Sequence, residues 1–303
     1  MNGGAPTGRA ATREARTGRA PTGPWDVWSD CTPDCATHGL PKAPLTHTAR
    51  RGAAFAHAVR RALTDGGRMA DPVRLTAHAR ALIAALGIRR EGAADGFTVP
   101  AGGPGTLIVV NHISWLDIPA LLAVEPVTLL AKREVGGWPV VGGLARRAGT
   151  YFIDRSDPRR LPDTVGELTG LLASGRSVAV FPQATTWCTA DQGSFRRATF
   201  QAALDAGAPV RPVTIDYTQG GRPGTVAAFC GEDTFVASLR RVLAARALAV
   251  RVTAHPALTG EGRDRRELAA LAERAVLGGR RPSGLPEVPA PRPAPEPAAH
   301  QHV

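Results

Sequence analysis

The sequence predicts an α/β domain, a largely parallel, helix-flanked sheet preceded by two amphipathic helices. Three observations point there. The chain has 303 residues, ample for one large domain with a real core and short for two of ordinary size. From Phe97 onward, short apolar runs of strand length alternate with stretches of helical period, the pattern of a parallel sheet covered by helices. Ahead of them, two arginine-rich stretches repeat their apolar residues at helical spacing.

Residues 1–24 are Gly, Ala, Thr, Arg and Pro without periodicity, so the region 1–48 is expected to be mostly disordered. A basic amphipathic segment follows at 49–90. Its first part, "ARRGAAFAHAVRRAL", puts Phe55, Val59 and Leu63 on one helical face and Arg50, Arg51, Arg60 and Arg61 mostly elsewhere. The second, "DPVRLTAHARALIAALG", opens with Asp71 as an N-cap and Pro72 in the first turn, and carries Leu75, Leu82, Ile83 and Leu86. Within 91–279 the strand-like runs are "FTV", "TLIVV", "VTLLA", "TYFID", "SVAVF", "VRPVTIDY", "TVAAF" and "ALAVRVTA". Helix candidates lie between them at 115–123, 138–147, 161–174, 195–206, 234–246 and 263–277. The proline-rich tail, 280–303, is expected to be disordered.

The formal charge is +11, and all but two of the 37 basic residues are arginine; the lysines are Lys42 and Lys132. Between Arg50 and Arg90, nine arginines face only Asp65 and Asp71, so the basicity is local. Such a patch suits an anionic membrane surface or a phosphorylated substrate. With 5% aromatic residues and no helix-turn-helix, zinc-finger or aromatic-plus-basic pattern, no nucleic-acid partner is expected. No run of about 18 apolar residues is present, since Asn111, His112, Asp117 and Glu125 interrupt the best candidate, so no membrane span is expected. Four cysteines without a signal-peptide pattern imply a reduced, cytoplasmic protein. The spacing in "CTPDCATH" would let Cys31, Cys35 and His38 meet a metal, but a fourth ligand is not evident and the spacing is unusual for zinc. No metal is assigned.

The chemistry concentrates in "VVNHISWLDIPALLA". His112 directly follows a strand, where sites form in parallel sheets, and Asp117 lies five residues on at the start of a helical pattern. If Ser114 caps that helix, the carboxylate can fold back, fix the imidazole tautomer and leave the second nitrogen to take a proton from a hydroxyl. By itself the pair also fits a histidine closing a strand and an aspartate in a solvated turn.

Further residues extend the pattern. "NHISWLD", "GTYFIDR" (Gly149 to Arg155), "VAVFPQATTW" and "APVRPVTI" resemble, in order and spacing, the four blocks of the glycerolipid acyltransferase family, and within it the 1-acylglycerol-3-phosphate (lysophosphatidate) acyltransferases. The resemblance covers about residues 97 to 258. It implies the acyltransferase type of α/β fold and transfer of an acyl group from a thioester, on coenzyme A or acyl carrier protein, to the hydroxyl of a lysophospholipid. His112 would be the general base and Asp117 its orienting partner, with no cofactor, no metal and no acyl-enzyme on Ser114 or Cys188. Asn111, Ser114, Lys132, Arg155, Gln183, Thr185 and Arg196 would bind substrate, with Arg155 and Lys132 on the acceptor phosphate. The basic N-terminal helices would either meet an anionic membrane, making the protein peripheral on the inner face of the cell membrane, or simply pack on the core with their arginines solvated.

The third block departs from the family's FPEGTRS. Gln183 stands for the glutamate, Ala184 for the glycine and Thr186 for the arginine. Glutamine keeps the shape and an accepting oxygen, loses the charge and adds a donor. The departure leaves open the same chemistry on lyso-ornithine lipid or a specialised metabolite, and a noncatalytic lipid-surface homologue.

Overall fold

The structure, a computed structural model, describes residues 27–92, 96–99, 102–137, 141–153, 158–189 and 193–278. It is a three-layer α/β domain. In chain order the elements are α1 (Leu45–Asp65), α2 (Pro72–Ala85), β1 (Arg89–Glu91), β2 (Leu107–Val110), α3 (Asp117–Leu122), β3 (Thr128–Lys132), α4 (Arg133–Gly136), α5 (Val141–Arg147), β4 (Tyr151–Ile153), α6 (Leu161–Ala173), β5 (Val178–Val180), α7 (Ala198–Asp205), β6 (Val210–Gln219), β7 (Arg222–Pro223), α8 (Phe235–Leu243), β8 (Leu248–Ala254) and α9 (Arg265–Gly278).

The sheet runs β1-β8-β6-β2-β5-β3-β4, with β7 folded back on β6. Every pairing along this order is parallel except β6 with β8. Strand β2 is central, and its four apolar residues explain why. Leu107 and Val109 enter one core with α6, α7 and α9, while Ile108 and Val110 enter the other with α1, α2 and α3. A strand of period two that is apolar at every position is buried on both faces.

The N-terminal helices pack on the domain. Asp71 caps α2 by accepting from the Arg74 amide at 3.0 Å, and Pro72 occupies its first turn. In α1, Ala58 and Ala62 are buried and Phe55 packs edge-on against Trp115. Three of the arginines from Arg50 to Arg90 terminate other helices: Arg51 donates to the carbonyls of Leu243 and Ala245 at the end of α8, and Arg80 and Arg90 to that of Ala123 at the end of α3. These are cations at helix carboxyl ends, where the carbonyls lack partners. Residues 27–44, grouped by the sequence with the disordered N-terminal region, are ordered here, with Cys31, Ala36 and Ala43 buried.

Two runs of strand-like composition are not strands. "FTV" is a bent segment whose Phe97 and Thr98 amides are held by the Glu125 carboxylate, and the Val99 amide by Thr106 Oγ1 at 2.9 Å. "TVAAF" is a buried turn. The Arg241 guanidinium satisfies its carbonyls at Val226 and Ala228, at 3.1 and 2.6 Å, so the run is apolar because it is core rather than sheet. Conversely, β1 has no apolar alternation; as a short charged edge it escapes a hydrophobic pattern.

Candidate active site

The site is built where one strand outruns its neighbour. The last β2–β6 pair is Val110 with Val213, yet β6 continues to Gln219. Asn111 extends the ladder with its side chain, donating from Nδ2 to the Ile215 carbonyl at 3.0 Å and accepting the Ile215 amide on Oδ1 at 2.7 Å. Asn111 is fully buried with its amide engaged in this way, so it fixes the departure angle of the chain rather than touching substrate.

Beyond Asn111 the chain loops around one carboxylate. Asp117 Oδ2 accepts from His112 Nδ1 at 2.8 Å and from the amides of Ile113 and Ser114 at 2.7 and 2.9 Å. Its Oδ1 accepts from the Tyr217 hydroxyl at 2.8 Å. Four donors compensate a carboxylate that has no exposed surface. The five-residue spacing is thereby explained: Asp117 opens α3 and gathers the N–H groups of the loop leading into it. Ser114 is not the cap expected from the sequence. It contributes its backbone N–H, and its Oγ is buried without a hydrogen-bond partner among the described residues.

An ionised carboxylate only accepts, so His112 Nδ1 carries the proton and Nε2 keeps its lone pair. The imidazole retains 21% of its side-chain surface, so the pair is reached through the ring. The ring stacks on Phe181, with centroids 4.1 Å apart. Its peptide is held from both sides by the third block: Gln183 Oε1 accepts from the His112 amide at 2.6 Å, and the Trp187 amide donates to the His112 carbonyl at 2.9 Å. Gln183 is therefore a positioning residue behind the histidine. Glutamine presents to the His112 amide an accepting oxygen of the same shape as a glutamate's.

The other expected site residues fall as follows. Thr185 is half-buried in the same loop, and Thr186 donates its hydroxyl to the Phe229 carbonyl. Arg196 has an exposed side chain, and its amide donates to the Pro182 carbonyl at 2.9 Å. Lys132 closes β3 opposite Ile153; its side chain and the whole of Arg155 lie outside the described residues. Burial, then the neighbouring Cys31 and Cys35, push the Cys188 thiol up to about 12, which removes it as a nucleophile.

Sequence reasoning missed Tyr217. Burial and then the adjacent Asp117 carboxylate push its phenol well above the ordinary value of 10.0, so it remains a donor. The available signal was its rarity: the chain has two tyrosines, and this one sits in the "VRPVTIDY" run two residues beyond Ile215, on the same strand face. Trp115, inside the histidine loop, was missed too; its Nε1 donates to Ser238 at 3.1 Å and its ring meets both Phe55 and Phe235, tying α1 and α8 to the site.

The family model described as acyltransferase matches residues 95–216, which contain His112, Asp117 and the third block but not Tyr217. A 1-acyl-sn-glycerol-3-phosphate acyltransferase of Neisseria meningitidis serogroup B is 35% identical over 173 residues, covering 57% of this chain and 67% of that protein. The chain belongs to the acyltransferase family. Another member, the lyso-ornithine lipid O-acyltransferase of Pseudomonas aeruginosa, is 39% identical over 172 residues, 56% of this chain and 66% of that one, so the chain matches about two thirds of each of these two relatives' lengths. The crystal structure of the 1-acyl-sn-glycerophosphate acyltransferase PlsC from Thermotoga maritima shares the acyltransferase fold, with a TM-score of 0.54, 20% identity, and coverage of 78% of this chain and 93% of that one. Among the described residues, no helix of this acyltransferase-family chain is long and apolar enough to cross a membrane.

Proposed function

We propose that this chain transfers an acyl group from a thioester donor, acyl coenzyme A or acyl-acyl carrier protein, to the free hydroxyl of a lysolipid. The observation that carries the reading is the His112–Asp117 pair, with the carboxylate fully compensated and the imidazole held by its ring, its amide and its carbonyl. His112 Nε2 takes the proton of the acceptor hydroxyl as the oxygen attacks the thioester carbonyl; the carbonyl re-forms as the thiolate leaves and takes up the proton. Asp117 stabilises the imidazolium between these steps. The substrate supplies the nucleophile, so the transfer needs no protein thiol or serine and no cofactor beyond the donor.

The leading acceptor is 1-acylglycerol-3-phosphate, giving phosphatidate, with Lys132 and Arg155 as its phosphate partners. Lyso-ornithine lipid is the second reading, favoured by the named activity of the Pseudomonas relative and by the altered third block. Access to either acceptor is from the inner face of the cell membrane, with exposed Arg50, Arg60 and Arg61 of α1 toward anionic headgroups. The test is acyl transfer from labelled acyl coenzyme A and acyl-acyl carrier protein to each acceptor. Product on one acceptor that vanishes in His112→Ala supports the reading. Turnover of neither acceptor by folded wild type, or full turnover by His112→Ala, overturns it.

A further inference from the structure

Three of the chain's four cysteines meet in one place, and the fourth lies beside them. The four come from three separate segments: Cys31 precedes and Cys35 closes a short turn at Pro33–Cys35 in the N-terminal strap, Cys188 follows Trp187 in the third block, and Cys230 follows Phe229 ahead of α8. The sulfurs of Cys31, Cys35 and Cys188 all lie within 4.8 Å of one another, with Cys31 and Cys188 at 3.3 Å. Cys230 lies outside that triangle but beside it, buried in the same core as Cys31 and followed by Gly231, which packs on the Cys31 backbone. We propose that Cys31, Cys35 and Cys188 bind one zinc ion as a structural site, with the neighbouring Cys230 side chain turning in as the fourth thiolate.

The geometry favours a metal over a disulfide. Zinc–sulfur bonds of about 2.3 Å in a tetrahedron put ligand sulfurs roughly 3.8 Å apart, whereas a disulfide requires about 2.05 Å. The 3.3 Å separation and the 4.8 Å limit bracket the tetrahedral edge. A Cys31–Cys188 disulfide would use two thiols and leave the convergence of Cys35 on the same point without a cause. Binding is balanced as displacement: one divalent ion takes four thiolates and releases their protons, with no change of oxidation state. The Cys188 amide points at the Cys31 sulfur at 3.3 Å, a donor of the kind that supports a sulfur carrying negative charge. His38, the third ligand considered from the sequence, is not in the cluster; it lies with Lys42 and Arg241.

The site would clamp the catalytic loop from behind. Cys188 adjoins Trp187, whose amide holds the His112 carbonyl; Cys230 adjoins Phe229, whose amide holds the Ile113 carbonyl at 2.9 Å. The strap carrying Cys31 packs closely on the turn after Cys230: a Cβ at Gly231, where φ is +58°, would lie 3.0 Å from the Cys31 carbonyl oxygen. Four thiolates leave no open position, so the ion orders the loops and stays out of the chemistry.

The test is metal analysis of the full chain purified under reducing conditions from zinc-supplied cells, with cobalt(II) loading of chelator-treated wild type. The expected result is one zinc per chain, the intense visible bands of tetrahedral cobalt thiolate, and retention lowered at least tenfold, on the order of a lost metal contact, in Cys35→Ser and Cys188→Ser. His112→Ala should hold the same zinc, which keeps this result separate from acyl-transfer activity. No zinc above buffer background together with no cobalt thiolate spectrum in wild type overturns the proposal, as does a Cys31–Cys188 disulfide found by mass spectrometry in protein never exposed to oxidant.

Discussion

The Tyr217 hydroxyl reaches Asp117 Oδ1 at 2.8 Å from a strand one hundred residues away, because β6 continues past the end of β2. The orienting carboxylate is thus fixed by the sheet as well as by its own loop. Tyr217→Phe removes one of four donors from a buried carboxylate, for which about 1–3 kcal/mol is the expected cost. The loss should fall mainly on kcat, with KM for the acceptor little changed and the fold intact by circular dichroism. An unchanged kcat would mean that the three remaining donors suffice.

His112→Ala and Asp117→Asn address the pair directly. Removing the base should lower kcat by roughly 10²–10⁴-fold. Asp117→Asn is expected to be as severe, because a neutral amide, even with its oxygen kept toward His112, Ile113 and Ser114, cannot stabilise the imidazolium formed when His112 takes the proton. Thermal melts of both variants separate this effect from misfolding.

Gln183 accepts from the His112 amide, so its charge state matters less than its oxygen. Gln183→Glu should stay within a few-fold of wild type. Gln183→Leu leaves a buried N–H unsatisfied, at about 1–3 kcal/mol, and should lower both melting temperature and kcat. A large gain from Gln183→Glu would show instead that charge at this position drives turnover.

Ala184 has φ +62°, a left-handed conformation that a Cβ disfavours by about 1–2 kcal/mol. It occupies the position where the family pattern has glycine. Ala184→Gly should therefore raise the melting temperature by about 2–4 °C for a domain of this size, read by calorimetry. A fall would indicate that local packing of the Cβ outweighs the strain.

Asp65, at the end of α1, has its carboxyl held below its ordinary 3.8, first by the His78 hydrogen bond, then against desolvation by hydrogen bonds and charge from Arg74 and by Arg68. A depressed folded pKa contributes stability that is present above the ordinary value and fades as pH falls through the lower folded one. Asp65→Asn should accordingly be less stable than wild type in urea melts at pH 7, and the gap should close toward acid pH. A constant gap would assign the effect to packing.

The sequence by itself determined the alternation of strands and helices, the capped start of α2, and the position of His112 just beyond a central strand, since these follow from local period, capping chemistry and the rule for parallel sheets. It also named both members of the pair. What only the tertiary structure decided are the contacts between distant segments. Asn111 becomes a ladder extension, Gln183 a brace for the His112 amide and Tyr217 the fourth donor to Asp117 only because β2, β5 and β6 lie side by side. "TVAAF" is buried but not a strand because Arg241, in another element, takes its carbonyls. Cys188 joins Cys31 and Cys35 for the same reason: spacing along the chain records neighbours within a few residues, whereas closing a loop of more than a hundred residues is specified by the packing of the whole core.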